Sequence, residues 1–87
     1  METKEDNRIA GGKPVPRGLS FFKSLTPCGG RGGKALYKDD KGFYYQWDSL
    51  HGEWEKFNKT GHHLGALPPN GGDPIKDAVK GRKITIS

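Results

Sequence analysis

This chain predicts a small, mainly β (α+β) fold, an antiparallel sheet of short hairpins with one short helix near the N-terminus. Three observations predict it. Fourteen glycines and six prolines in 87 residues interrupt the chain too often for long helices. From Lys34 onward, aromatic and aliphatic residues come in short runs separated by Asp-, Asn- and Gly-containing turns. Nothing alternates strand with helix in the manner of a parallel sheet.

Met1 to Arg8 is densely charged and is expected to be disordered. Gly11 to Arg17 reads as an extended linker, because a proline pushes its predecessor toward extended geometry. Leu19 to Leu25 is the one short helix, capped by Ser20 and ended near Pro27, with a strand as the competing reading. Cys28 to Gly33 (CGGRGG) reads as a flexible break. The compact domain is expected to start near Leu19 or Lys34, with residues 1–33 read as a flexible, basic, Gly/Pro-rich segment carrying a short helix at 19–25 and residues 34–87 as the folded domain. Within that domain Ala35–Lys38, Phe43–Trp47, Glu53–Phe57 and His62–Leu67 are strands, and Lys83–Ile86 closes the sheet with Ile84 and Ile86 inward. The turns are Asp39–Gly42, Asp48–Gly52, Asn58–Gly61 and Asn70–Asp73. Alternation puts Phe43, Tyr45 and Trp47 on one face and Tyr44 and Gln46 on the other.

A hydrophobic fraction of 31% allows only a thin core, so the nine aromatic residues must supply most of the burial. The net charge of +5 and a pI of about 9.5 point to a polyanionic partner, nucleic acid first. Carboxylates concentrate between Asp39 and Glu55, while Lys76, Lys80, Arg82 and Lys83 lie near the C-terminus. Carboxylates framed by cations fit a phosphate-binding surface equipped for chemistry. A single cysteine, Cys28, excludes an intramolecular disulfide and a cysteine zinc site. The apolar runs are too short to span a membrane, no signal peptide is visible, and a monomer is expected.

Tyr44 to Phe57 (YYQWDSLHGEWEKF) holds both tryptophans and packs Asp48, His51, Glu53 and Glu55 into eight positions. A row of ionisable residues on a strand is most often its solvent face. Here the neighbouring Trp47 and Trp54 are expected to shield the carboxylates, which suits them to act as bases. Asp48 either caps its turn or orients His51, and a carboxylate beside an imidazole favours a protonated ring. On a straight strand His51 and Glu55 would stand about 13 Å apart, so a shared site needs their side chains to converge. Of His62 and His63 only one can face that site. No standard metal motif is present, and neither metal nor cofactor is expected. Metal-free cleavage of RNA needs a base for the ribose 2′-hydroxyl, an acid for the leaving 5′-oxygen and a cation for the charged phosphorane. Glu55, His51 and Arg82 have the chemistry for those three roles.

The pattern Tyr45-x-Trp47-Asp48-Ser49-x-His51-Gly52-Glu53-x-Glu55-x-aromatic, followed by Gly61-x-His63-Leu64-Gly65, resembles the cytotoxic ribonuclease domain of the 16S rRNA-cleaving colicin and cloacin family. The resemblance covers residues 41–84. Gln46 and Phe57 depart from the family's glutamate and tyrosine, and the N-terminal third has no clear counterpart. The resemblance implies a strongly twisted antiparallel sheet with a helix at its N-terminal side. It implies Asp48, His51, Glu55 and Arg82 as the catalytic set. Glu53, His63, Tyr45, Trp47, Lys76, Lys80 and Lys83 would support catalysis or bind substrate. It also implies cleavage of 16S rRNA at the ribosomal decoding site and an acidic immunity protein as partner. The chain would be the toxic tip of a larger bacteriocin or contact-dependent inhibition effector, released from a producing bacterium and acting in the target-cell cytoplasm. The competing reading is a small β-sheet module that binds RNA or a peptide without catalysis.

Overall fold

The computed structural model describes residues 12–86. The disorder expected for residues 1–8 lies outside the described residues. A single turn of helix, α1 (Ser20–Lys23), precedes six strands: β1 (Thr26–Arg31), β2 (Lys34–Lys38), β3 (Tyr44–Asp48), β4 (Glu53–Phe57), β5 (His63–Leu67) and β6 (Lys76–Asp77). They form one antiparallel meander in the order β1-β2-β3-β4-β5-β6.

The turns explain why the strands break where they do. Asp39 Oδ1 accepts the backbone N–H groups of Lys41 and Phe43, both at 2.9 Å. Asp48 Oδ1 accepts those of Leu50 and His51. Asn58 Oδ1 accepts those of Thr60 and His62. Each of these side chains satisfies turn N–H groups that the ladder cannot reach, and each turn closes on a glycine at positive φ: Gly42, Gly52 or Gly61.

The register sorts the side chains cleanly. Tyr37 lies opposite Tyr45, Trp47 opposite Trp54 and Trp54 opposite Leu67, all on one face. Phe21 and Phe22 of α1 cover that face together with Leu25 and Val15. Trp54 is fully buried at its centre, with the rings of Phe21, Phe22, Tyr37, Tyr45 and Trp47 at centroid distances of 5.8, 6.2, 5.7, 6.5 and 5.0 Å. Removing an indole-sized area of about 200 Å² from water contributes at most roughly 5 kcal/mol. Tyr45 is buried and donates its hydroxyl proton to Asp39 at 2.8 Å. Burial first, then that bond to a carboxylate, raises the phenol's pKa.

The opposite face carries Gln46, Glu53, Glu55, Phe57, His63 and Ala66, all buried. Its cover is the C-terminal segment. Ile75 N–H donates to Ala66 O, His63 N–H to Arg82 O, and Ile84 N–H to Gly61 O.

Several expectations are corrected. Ser20 does not cap the helix; Leu19 holds the N-cap position without a side-chain bond, and the helix ends at Lys23. Cys28–Gly33 is no flexible break, because β1 runs through Arg31 and pairs with β2 across a bulge between Pro27 and Gly30. The turn is Gly32-Gly33 with φ of 61° and 83°, the left-handed pair that joins twisted strands most tightly. The folded unit thus extends upstream of Lys34, and Val15 packs against its core. Lys83–Ile86 forms no strand, only a single bridge from Lys83 to His62. The β5 edge is already taken at Gly65 and Ala66 by β6, which leaves positions 61–63 for residues 82–84. No helix among the described residues is long and apolar enough to cross a membrane.

Candidate active site

Asp48 and Glu53 are cross-strand partners at the end of the β3–β4 hairpin, and Gln46 and Glu55 form the next pair on the same face. Chain reversal resets side-chain parity, so Asp48 shares a face with Glu53 and Glu55. His51 lies in the turn rather than on the strand, so the straight-strand separation does not apply. A shallow cavity of about 120 Å³ is lined by Asp48, His51, Glu53, Glu55, His63, Ala66, Lys76, Asp77, Val79 and Arg82. The carboxylates are not a solvent face: Glu53 and Glu55 are each 4% exposed. Their shielding does not come from Trp47 and Trp54, which occupy the other side of the sheet. It comes from the C-terminal segment.

Glu55 is the most elaborately held group. Its Oε1 meets His63 Nε2 at 2.7 Å and Arg82 Nη1 at 3.4 Å. The other nitrogen of His63, Nδ1, accepts the backbone N–H of Val79 at 2.9 Å. A backbone N–H can only donate, so Nδ1 carries a lone pair and the ring proton sits on Nε2, aimed at Glu55. His63 is therefore a neutral donor, and the charge opposing Glu55 comes from Arg82. Both contacts fall on Oε1, which leaves Oε2 for proton abstraction.

His63 reaches this face through an irregularity. Ala66 is opposite Glu55 and Gly65 opposite Lys56, but His63 rather than Leu64 is opposite Phe57. The extra residue turns His63 toward Phe57 and Glu55, as bulges re-aim side chains beside sites. His62 stays exposed, its Nδ1 at 3.0 Å from Thr60 Oγ1.

At the open end, Asp48 Oδ2 meets His51 Nδ1 at 2.7 Å, and the His51 side chain is 53% exposed. Partial burial opposes ionisation of Asp48. The hydrogen bonds and charge of His51, together with the Leu50 N–H, outweigh it and hold the carboxyl below its usual range. This fixes the ring while leaving Nε2 facing solvent. The turn is also strapped from outside: Lys13 N–H donates to Ser49 O at 2.8 Å, and Trp47 Nε1 donates to Lys13 O at 2.7 Å.

Among the described residues, Asp48, His51 and Glu53 place ligand atoms within 4.8 Å of one another, close enough to share a cation. Existing partners compete for them. His51 Nδ1 is engaged by Asp48, and Glu53 is paired with Lys76 Nζ at 2.9 Å.

The structure thus brings Asp48, His51, Glu53, Glu55, His63, Lys76 and Arg82 to one cavity. Tyr45 and Trp47, expected at the substrate, are not brought to this cavity: Tyr45 belongs to the aromatic core on the opposite face and Trp47 packs against it. Lys80 is exposed and does not line the cavity, and Lys83 lines a neighbouring one. Sequence reasoning missed Val79, whose contribution is a backbone N–H and leaves no side-chain signal. It also missed Gln46, which the hairpin register pairs with Glu55.

The family described as Cytotoxic matches residues 17–85. The match reaches further toward the N-terminus than the resemblance over 41–84 and takes in α1, β1 and β2. Cloacin and colicin-E6 of Escherichia coli are each 43% identical to this chain over 69 residues, covering 76% of the chain. The chain spans 12% of the length of these relatives.

Proposed function

Because the chain belongs to the Cytotoxic family, a family of bacterial toxin domains, we propose that it is a metal-independent endoribonuclease that cleaves 16S rRNA at the ribosomal decoding site. The observation that carries this reading is the state of Glu55. It is a buried carboxylate held by a neutral histidine and one arginine, with its second oxygen left for chemistry. A peptide- or RNA-binding module has no use for a base so arranged.

In this mechanism Glu55 takes the proton of the ribose 2′-hydroxyl, and the resulting oxygen attacks the adjacent phosphorus. Arg82, next to Glu55 and 42% exposed at its side chain, stabilises the negative charge that builds on the phosphorane. His51, oriented through Nδ1 by Asp48, donates a proton from Nε2 to the departing 5′-oxygen. The products are a 2′,3′-cyclic phosphate and a 5′-hydroxyl, and DNA is not a substrate because it lacks the attacking group. His63 keeps Glu55 in position, and Lys76 balances Glu53 beside it. No cofactor is needed.

A toxin domain of this kind is delivered from a producing bacterium into the cytoplasm of a target cell. Its producer is protected by an acidic immunity protein that covers the basic surface. End-group analysis tests the chemistry. RNA cut by this chain in the presence of EDTA is expected to carry 2′,3′-cyclic phosphate ends, and a 2′-deoxy substitution at the cleaved nucleotide should abolish the cut. Chelator-sensitive cleavage, or 5′-phosphate ends, would refute the mechanism.

A further inference from the structure

Beside the catalytic cavity lies a second and larger one, of about 350 Å³, lined by Gly32, Lys34, Gln46, Lys83, Ile84 and Thr85. Two register facts place it. Gln46 is the cross-strand partner of Glu55, so one lining residue of each cavity stands opposite the other, with Cβ atoms about 5 Å apart across the ladder. Lys83 directly follows Arg82 on the segment that covers the sheet, so one stretch of backbone presents a cation to each cavity. The residues bring complementary chemistries. Lys34 and Lys83 are exposed cations, and Ile84 is a half-buried apolar wall. Gln46 is a nearly buried amide, a group that can both donate and accept. The volume is in the range of small-ligand sites.

The geometry points to a nucleotide subsite of the RNA chain, holding the nucleotide next to the one that is cut. Lys34 and Lys83 grip its phosphodiester, and Ile84 packs against the base. The subsite rests on the ribonuclease reading, and it assigns Lys34 a binding role that its place in the Gly-rich β1–β2 hairpin gave no reason to suspect. It also gives Lys83 a role separate from that of Arg82: positioning the strand rather than stabilising the transition state.

The test uses a fluorescein-labelled 2′-O-methyl RNA hexamer, which lacks the attacking hydroxyl and stays uncut. Anisotropy titrations compare wild type with Lys34→Ala/Lys83→Ala. A charge-matched control is Lys41→Ala/Lys59→Ala, at the separate cavity beside the β2–β3 turn. The subsite predicts at least a tenfold weaker Kd for the first pair and less than threefold for the control. It also predicts a salt dependence shallower by about 0.7 in log–log slope, the value for one phosphate that loses its cations. With cleavable RNA the first pair should raise KM and leave kcat within twofold. Equal losses in both double variants would mean a general attraction to the whole basic surface and would overturn the subsite, as would an unchanged Kd. Cleavage by wild type, measured in parallel, separates the two readings. No cleavage with a loss confined to the Lys34/Lys83 pair removes the nuclease and keeps an RNA site. Cleavage without that loss removes the subsite alone.

Discussion

Replacing His63 by asparagine and by glutamine separates its two hydrogen bonds. In His63→Asn the new carbonyl oxygen falls near the position of Nδ1 and can still accept the Val79 N–H, but residue 63 no longer reaches Glu55. In His63→Gln the new amide nitrogen falls near the position of Nε2 and can still donate to Glu55, but the Val79 N–H loses its acceptor. The site is buried, with side-chain exposures of 2% for His63 and 5% for Glu55, so water does not freely replace either partner. A bond to a charged group contributes about 1.5–3 kcal/mol, and a partly buried N–H left unsatisfied costs about 1 kcal/mol. His63→Asn should therefore destabilise by about 2–3 kcal/mol and His63→Gln by about 1 kcal/mol. In urea, with a slope near 1 kcal/mol per molar for a domain this small, the midpoints should fall by about 2–3 M and about 1 M. The asparagine variant should also lose the larger share of activity, because Glu55 is then positioned by Arg82 alone. Equal midpoint shifts, or a larger shift for glutamine, would refute the neutral, Nε2-protonated histidine on which the assignment of Glu55 rests.

Three other outcomes follow from the same geometry. Glu55→Gln keeps an oxygen for His63 and Arg82, so its urea midpoint should stay within about 1 M of wild type while cleavage falls by about 10²–10⁴-fold. Gly61→Ala puts a side chain at φ +93° against the Ile84 carbonyl. It should cost about 2 kcal/mol or more and free the segment that carries Arg82, so stability by urea melt and cleavage should fall together. For Asp48 the folded-state pKa is depressed, so its contribution to stability is complete above the unfolded value near 4. That contribution is lost as pH falls through the lower folded value. Asp48→Asn should be less stable than wild type at pH 7, and urea midpoints of the two should converge as pH falls below the unfolded value and through the lower folded one.

The hairpins were legible in the sequence because their punctuation is local. Asp39, Asp48 and Asn58 each tie their own turn, and the strands between them alternate as their parity requires. The Gly-rich edge strand β1 was not legible. CGGRGG has no side-chain pattern, and its pairing is set by the Gly32-Gly33 turn and by the partner strand it borders. The C-terminal segment misled for a related reason. Ile84 and Ile86 alternate like a strand, but the edge they would pair with is occupied by Lys76–Asp77. At the site, residue types were readable and geometry was not. The motif supplied Asp48, His51, Glu53, Glu55 and His63. Two things only the structure could supply. One is the hairpin that brings Asp48 onto the face of Glu55. The other is the bulge that turns His63 inward, since positions 63 and 66 cannot share a face of a regular strand. Tyr45 and Trp47 belong to the same motif and share its strand, yet their parity sends them into the core.

Intact bacterial ribosomes incubated with the protein in EDTA show whether this cavity cuts ribosomal RNA with Glu55 as the base. One discrete short fragment from the 3′ end of 16S rRNA is expected with wild type and none with Glu55→Gln. Intact 16S rRNA with wild type, or the same fragment with Glu55→Gln, would contradict that reading.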